Sequence, residues 1–128
     1  MVGYGPEDKY FVVELTYNYN VGSYKAGNDF QGITIQSSEV LERAKKIGWP
    51  NIEEMGRLIL EAPVGYKFII IDLPQPVESD PVLSVAIAVL NMTKSVKYWS
   101  GLLKMKATSS SLTISSLSYD GKNQAWCW

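Results

Sequence analysis

The chain has 128 residues, 46% of them hydrophobic and 20% charged, with a formal net charge of −1; these values fit one globular domain and exclude global disorder or a collagen-like fibre. It has no histidine and a single cysteine, Cys127, which excludes imidazole acid–base catalysis, Ser-His and Cys-His nucleophile pairs, internal disulfides, and His-built or Cys-rich metal sites. Charge is unevenly placed: residues 1–80 carry twelve acidic and seven basic side chains, residues 81–128 five lysines against one aspartate.

The first eight residues show neither the basic region nor the apolar run of a secretory signal. Tyr10–Tyr19 alternates, with Phe11, Val13, Leu15, Tyr17 and Tyr19 on one face and Glu14, Thr16 and Asn18 on the other, and reads as a strand with one buried face. Asn20–Asn28, with Gly22 and Gly27, reads as a loop, and Phe30–Gln36 as a second strand. Ser37 or Ser38 caps a helix over about Glu39–Ile47, stopped by Gly48. Asn51 and Glu54 have the spacing of a variant capping box, so a second helix is expected over Ile52–Glu61. Tyr66–Leu73 reads as a strand buried on both faces.

Asp80-Pro81 reads as the start of a long helix running toward Lys106. Its first half is apolar nearly all round and must be covered by something. That apolar stretch, Val82–Leu90 broken by Ser84, falls far short of the ~20 residues that span a bilayer. Thr108–Tyr119 is rich in Ser and Thr and hints at a strand; Asp120-Gly121 signals a tight turn, with Lys122–Trp128 as the return of a hairpin. No internal repeat is visible. The expected fold is α+β: a small mixed sheet of about three to five strands, two short helices and one long helix in the C-terminal half, then an extended Ser/Thr-rich tail or hairpin. Residues 1–106 form the domain and 107–128 an arm.

No metal site and no cofactor is expected. Asp72 and Glu14 at strand positions read as surface carboxylates, not as Mg²⁺ ligands. There is no Gly-x-x-x-x-Gly-Lys, Gly-x-Gly-x-x-Gly or Ser-x-x-Lys. A helix-turn-helix over residues 39–61 fails, because its recognition helix would carry Glu53, Glu54 and Glu61 against Arg57 and repel phosphate. Nucleic-acid contact through the basic C-terminal third is a secondary option. The residues point instead to a non-catalytic protein that binds protein. Tyr17, Tyr19, Lys94, Lys97, Trp99, Lys104, Lys106, Trp126 and Trp128 form the candidate interface, docking on the acidic N-terminal portion of a neighbouring copy in a homo-oligomer.

Pro81–Leu90, the Ser/Thr-rich segment and Ser115-Ser116-Leu117-Ser118-Tyr119-Asp120-Gly121-Lys122-Asn123-Gln124 together resemble a segment of virion structural proteins of large tailed bacteriophages. The resemblance implies a head, neck or tail subunit without catalytic residues, located in the virion; the residues alone are equally compatible with a cytoplasmic protein. The alternative is a small acidic inhibitor or immunity-type protein presenting Glu39, Glu42, Glu53 and Glu54 to a basic target.

Overall fold

A computed structural model describes residues 1–25, 27–54, 57–111, 113–119 and 124–127. Among the described residues ten strands and two α-helices follow in order: β1 (Val2–Gly3), β2 (Val12–Val13), β3 (Phe30–Gln36), α1 (Ser38–Lys46), β4 (Asn51–Glu54), β5 (Arg57–Glu61), β6 (Lys67–Ile71), β7 (Val82–Ile87), α2 (Met92–Lys97), β8 (Lys106–Ser110), β9 (Ser115–Ser118) and β10 (Gln124–Cys127). Among the described residues β3 to β10 form one eight-stranded sheet in the order β4-β5-β6-β3-β7-β10-β9-β8, and β1 and β2 form a separate antiparallel ribbon.

The sheet contains a structural duplication that the sequence does not display. β3-α1-β4-β5-β6 and β7-α2-β8-β9-β10 are each a strand, a helix and three strands. In each, the last strand lies parallel to the first, β6 on β3 and β10 on β7. The two opening strands meet antiparallel at the centre, with Ile33 opposite Val85 and Thr34 opposite Ser84. The expectation of no internal repeat is therefore corrected at the level of topology.

Several elements form as their residues dictate. Ser37 caps α1 by accepting from the Val40 N–H at 3.1 Å. Gly48, at φ +65°, occupies the left-handed position that ends the helix. β3 and β6 fall where period-two and apolar runs place them. Two expected helices do not form. Asn51–Glu54 and Arg57–Glu61 are the strands β4 and β5, because Leu58-Ile59-Leu60 finds a longer-range partner in Ile70-Ile69-Phe68, and such pairing outweighs local helix preference. Asn51 opens β4 opposite Leu60, its Nδ2 donating to the Trp49 carbonyl at 3.1 Å, and caps no helix.

The long helix over 81–106 is likewise replaced. Its apolar first half is β7, a central strand paired at its two edges with β3 and β10 and buried or half-buried at every residue, which is why it lacks a polar face. Asp80 does not cap a helix; its Oδ1 accepts from the Val82 N–H at 2.9 Å in an Asx turn. The helix begins only at Asn91, whose Oδ1 accepts from the Lys94 N–H at 2.9 Å, and its end widens into a π-turn over Tyr98–Leu102. The sheet of three to five strands becomes one of eight, and β8, β9 and β10 are part of it. The expected strand over Tyr10–Tyr19 shortens to Val12–Val13; Leu15, Tyr17 and Tyr19 stand in solvent. The Asp120-Gly121 turn lies outside the described residues.

The core sits on the α1 side of the sheet. Ile33, Ile35, Leu41, Ile70 and Val82 are buried there, with Val13, Phe30, Val40, Leu58, Leu60, Phe68 and Val85 packed against them. Alternation along β3, β5 and β6 then sends Gly32, Thr34, Arg57, Ile59, Lys67 and Ile69 to the opposite face. No helix of the described residues is long and apolar enough to cross a membrane.

Candidate functional site

The face away from α1 carries a cleft of about 400 Å³ lined by Gln31, Glu54, Arg57, Ile59, Lys67, Ile69 and Ala86. Five strands contribute, β4, β5, β6, β3 and β7. Ile59 lies directly opposite Ile69, and Glu54 opposite Arg57. Gly32 keeps the floor open. Its φ is +145°, and a Cβ there would come within 3.0 Å of the Lys67 carbonyl and 3.3 Å of Ile69 Cδ1, so a side chain would both strain the backbone and press into the cleft.

The floor is apolar and the rim charged. Arg57 and Lys67 make no ion pair with a carboxylate; among the described residues the ion pair is Arg43–Glu39, two exposed side chains on α1. Gln31 is held by its amide, Nε2 donating to the Asn28 carbonyl at 2.6 Å, which leaves its oxygen available to a ligand. Such a cleft holds a small molecule by apolar contact and orients it by its polar ends. Glu54 is the carboxylate that lines the cleft. Among the described residues no three His, Cys, Asp or Glu side chains share a metal-sized cluster, Asp72 and Glu14 included.

A second cavity, of about 380 Å³, lies on the α1 side under the β1–β2 ribbon, lined by Val2, Tyr4, Phe11, Val13, Leu15, Ile33, Ile35, Phe68 and Val82 among others. Asp80, 5% exposed, ties the ribbon down by accepting from the Phe11 N–H as well as from Val82. Burial raises the Tyr4 phenol above its ordinary value; the nearby carboxylates of Asp80 and then Glu39 add to the rise, and Arg43 opposes it.

The residues singled out from sequence are dispersed. Tyr17 and Tyr19 pack edge to face at 5.2 Å on an exposed N-terminal segment. Lys94 and Lys97 are on α2; Trp99 is in the π-turn, edge to face with Tyr98 at 5.7 Å. Lys104 follows at φ +61° and Lys106 opens β8. Trp126 is in β10, opposite Ala86 and Ser116, and Trp128 lies outside the described residues. Glu39 and Glu42 are on α1 and Glu53 and Glu54 on β4, of which Glu54 alone lines the cleft. Sequence reasoning missed Gln31, Arg57 and Lys67. Arg57 carried a signal, since Arg57-Leu58-Ile59-Leu60-Glu61 ends polar on both sides of an apolar core, as a five-residue strand does.

Residues 32–72 match the family profile described as Glyoxalase domain-containing protein 4, N-terminal. Glyoxalase domain-containing protein 4 of Mus musculus is 55% identical over 108 residues, covering 83% of this chain and 36% of its own length. Lactoylglutathione lyase of Oryza sativa subsp. japonica is 32% identical over 118 residues, covering 82% of this chain and 40% of its own. Glyoxalase I from Zea mays superposes with a TM-score of 0.82 at 27% identity, over 98% of this chain and 52% of that one. The chain thus spans little more than a third of the length of the curated relatives it matches.

These similarities overturn the likeness to tailed-phage virion proteins, and with it the virion location and the assembly-subunit and inhibitor readings. The phage likeness rested on a short Ser-rich motif and on an apolar helix at 81–90 that is in fact strand β7. The non-catalytic reading is corrected as well, because relatives named lactoylglutathione lyase and glyoxalase are enzymes. The lack of histidine removes imidazole-based templates only; carboxylates carry protons too.

Proposed function

We propose that in this chain, which belongs to the Glyoxalase domain-containing protein 4 family, the cleft opposite α1 is the ligand site of a glyoxalase-type module. The observation that carries this is the 55% identity over 83% of the chain; the superposition on maize glyoxalase I supports it. The substrate class that follows from those names is a thioester of a short hydroxy acid with a small thiol peptide. Ile59, Ile69 and Ala86 offer apolar contact for such a molecule, the cations at the rim meet its carboxylates, and Glu54 is the residue that carries a proton at the reacting end.

The test follows the ultraviolet absorbance of the lactoylglutathione thioester in the presence of the purified chain, alongside backbone NMR shifts at the cleft. A change of thioester absorbance that Glu54→Gln slows at least tenfold, with shifts confined to β3–β7, is the expected result. Neither turnover nor cleft shifts at millimolar thioester refutes the reading.

A further inference from the structure

The α1 side of the sheet holds a space of another kind. The cavity of about 380 Å³ beneath the β1–β2 ribbon has walls on two sides. Its floor is Ile33, Ile35, Phe68 and Val82, side chains of the neighbouring strands β6, β3 and β7. Its roof is the ribbon and the stretch that follows, with Val13 half-buried and Leu15, 73% exposed, at the mouth. Of the side chains that line it, Tyr4 alone carries a polar atom. A carbon-lined space offers water nothing to bond, and such spaces in proteins stay dry or take up apolar molecules. The roof is secured where the Phe11 N–H donates to the buried Asp80 carboxylate. The field at the Tyr4 end is negative. Asp80 and Glu39 both act on the Tyr4 phenol, and Arg43, the cation that opposes them, is already paired with Glu39.

We infer that this cavity is a second binding site, for an uncharged aliphatic molecule such as a medium-chain alcohol, its chain held between sheet and ribbon and its hydroxyl toward Tyr4. Volume sets the chain: a cavity of roughly 150 Å³ holds the six carbons of benzene, so 380 Å³ holds a chain of about eight to twelve. Bound there, the chain restores the dispersion contacts that an empty space denies its lining. Charge sets the head group. A carboxylate at the Tyr4 end is repelled by Asp80 and Glu39; a hydroxyl is not, and it exchanges a hydrogen bond with the phenol. The two walls set the shape, because a slender molecule fits between two layers whereas a partner's surface needs an open face. The site lies across the sheet from the cleft and stands or falls apart from the glyoxalase reading.

The probes are 1-butanol, 1-hexanol, 1-octanol and octanoate, titrated by methyl NMR against the whole chain. Expected is saturable binding that shifts the methyls of Val13, Ile33, Ile35 and Val82 and spares those of Ile59 and Ile69 in the cleft. Affinity rises about tenfold for each two methylenes added, and octanoate binds roughly tenfold more weakly than octanol. Val13→Phe fills the cavity and weakens octanol about tenfold or more at an unchanged or raised melting temperature. Leu15→Ser, at an exposed position that leaves the fold intact, removes part of the wall and weakens octanol several-fold, so the site is tested even where Val13→Phe displaces the ribbon. Affinity that does not grow with chain length, equal shifts on both faces of the sheet, octanoate binding as tightly as octanol, octanol affinity unchanged in both variants, or no binding up to the solubility limit overturns the site. So does a cavity filled by a second copy of the chain, in which case the same methyls shift with protein concentration alone.

Discussion

The carboxylate of Asp80 is a clamp between two parts of the chain, and Asp80→Asn separates its two duties. Asp80 is 5% exposed and accepts from Val82, two residues on, and from Phe11, sixty-nine residues back. Asparagine has one acceptor oxygen. Turned toward Val82 at the start of β7, it preserves the Asx turn and points its amide N–H₂ at the Phe11 N–H, donor against donor. The Phe11 bond is then lost, at about 1.5–3 kcal/mol for a bond to a charged acceptor. Part of that loss is offset globally, because a buried charge is removed as well. The effect is therefore local: exchange of the Phe11 amide accelerates roughly ten- to a hundredfold while Val82 keeps its protection. Asp80→Ala loses both bonds and accelerates both amides. Hydrogen exchange read by NMR on the wild type and the two variants is the assay. Unchanged exchange at Phe11 in Asp80→Asn, or equal acceleration of Phe11 and Val82, refutes the clamp.

Ile70 is 2% exposed at the centre of the core, so Ile70→Ala is expected to cost about 2–5 kcal/mol, read as a lower denaturant midpoint at unchanged slope. Ser37 Oγ accepts from the Val40 N–H at 3.1 Å and from Gln75 Nε2 at 2.9 Å; Ser37→Ala is expected to cost about 1–2 kcal/mol, with faster exchange at Val40. The raised Tyr4 phenol gives the folded state an extra hold on its proton. The stability this contributes is complete below the ordinary tyrosine value near 10 and is lost as the pH rises through the higher folded value. Melting curves should therefore show the wild type losing stability in that alkaline window faster than Tyr4→Phe; parallel curves contradict the burial of the phenol.

Legibility followed the range of the forces involved. α1 is set by neighbours a few residues apart, Ser37 at one end and Gly48 at the other, and it stands within a residue of where the capping signals place it. β3 and β6 are likewise readable, one by alternation and one by its apolar run. Residues 51–61 and 82–87 are not, for two different reasons. The first has local signals that suit a helix equally well, and its strand state is decided by Ile69 and Ile70 on β6. The second is an apolar run too short to separate buried strand from buried helix by periodicity, and the strands that pair with it, β3 and β10, come from residues about fifty before and forty after.

The candidate site fails to show in the sequence for a reason the duplication makes plain. In a fold built by repeating a strand, a helix and three strands, an open sheet face is assembled from alternate residues of several strands, so a site there has no spacing of its own. Gln31, Glu54, Arg57 and Lys67 come from four strands, Arg57 and Lys67 by alternation along theirs, Glu54 opposite Arg57 across the β4–β5 ladder, and Gln31 at the irregularity between Phe30 and Gly32. Assigning 52–61 to a helix therefore did more than misname two strands. A helix would scatter Glu54 and Arg57 around its surface and leave Ile59 without Ile69, and no cleft would form. Read as strands, the same residues place two isoleucines in register, with Arg57 opposite Glu54 at one end and Lys67 opposite Glu61 at the other. The candidate cleft is hidden by a secondary-structure assignment, because its lining comes together only when these residues are strands.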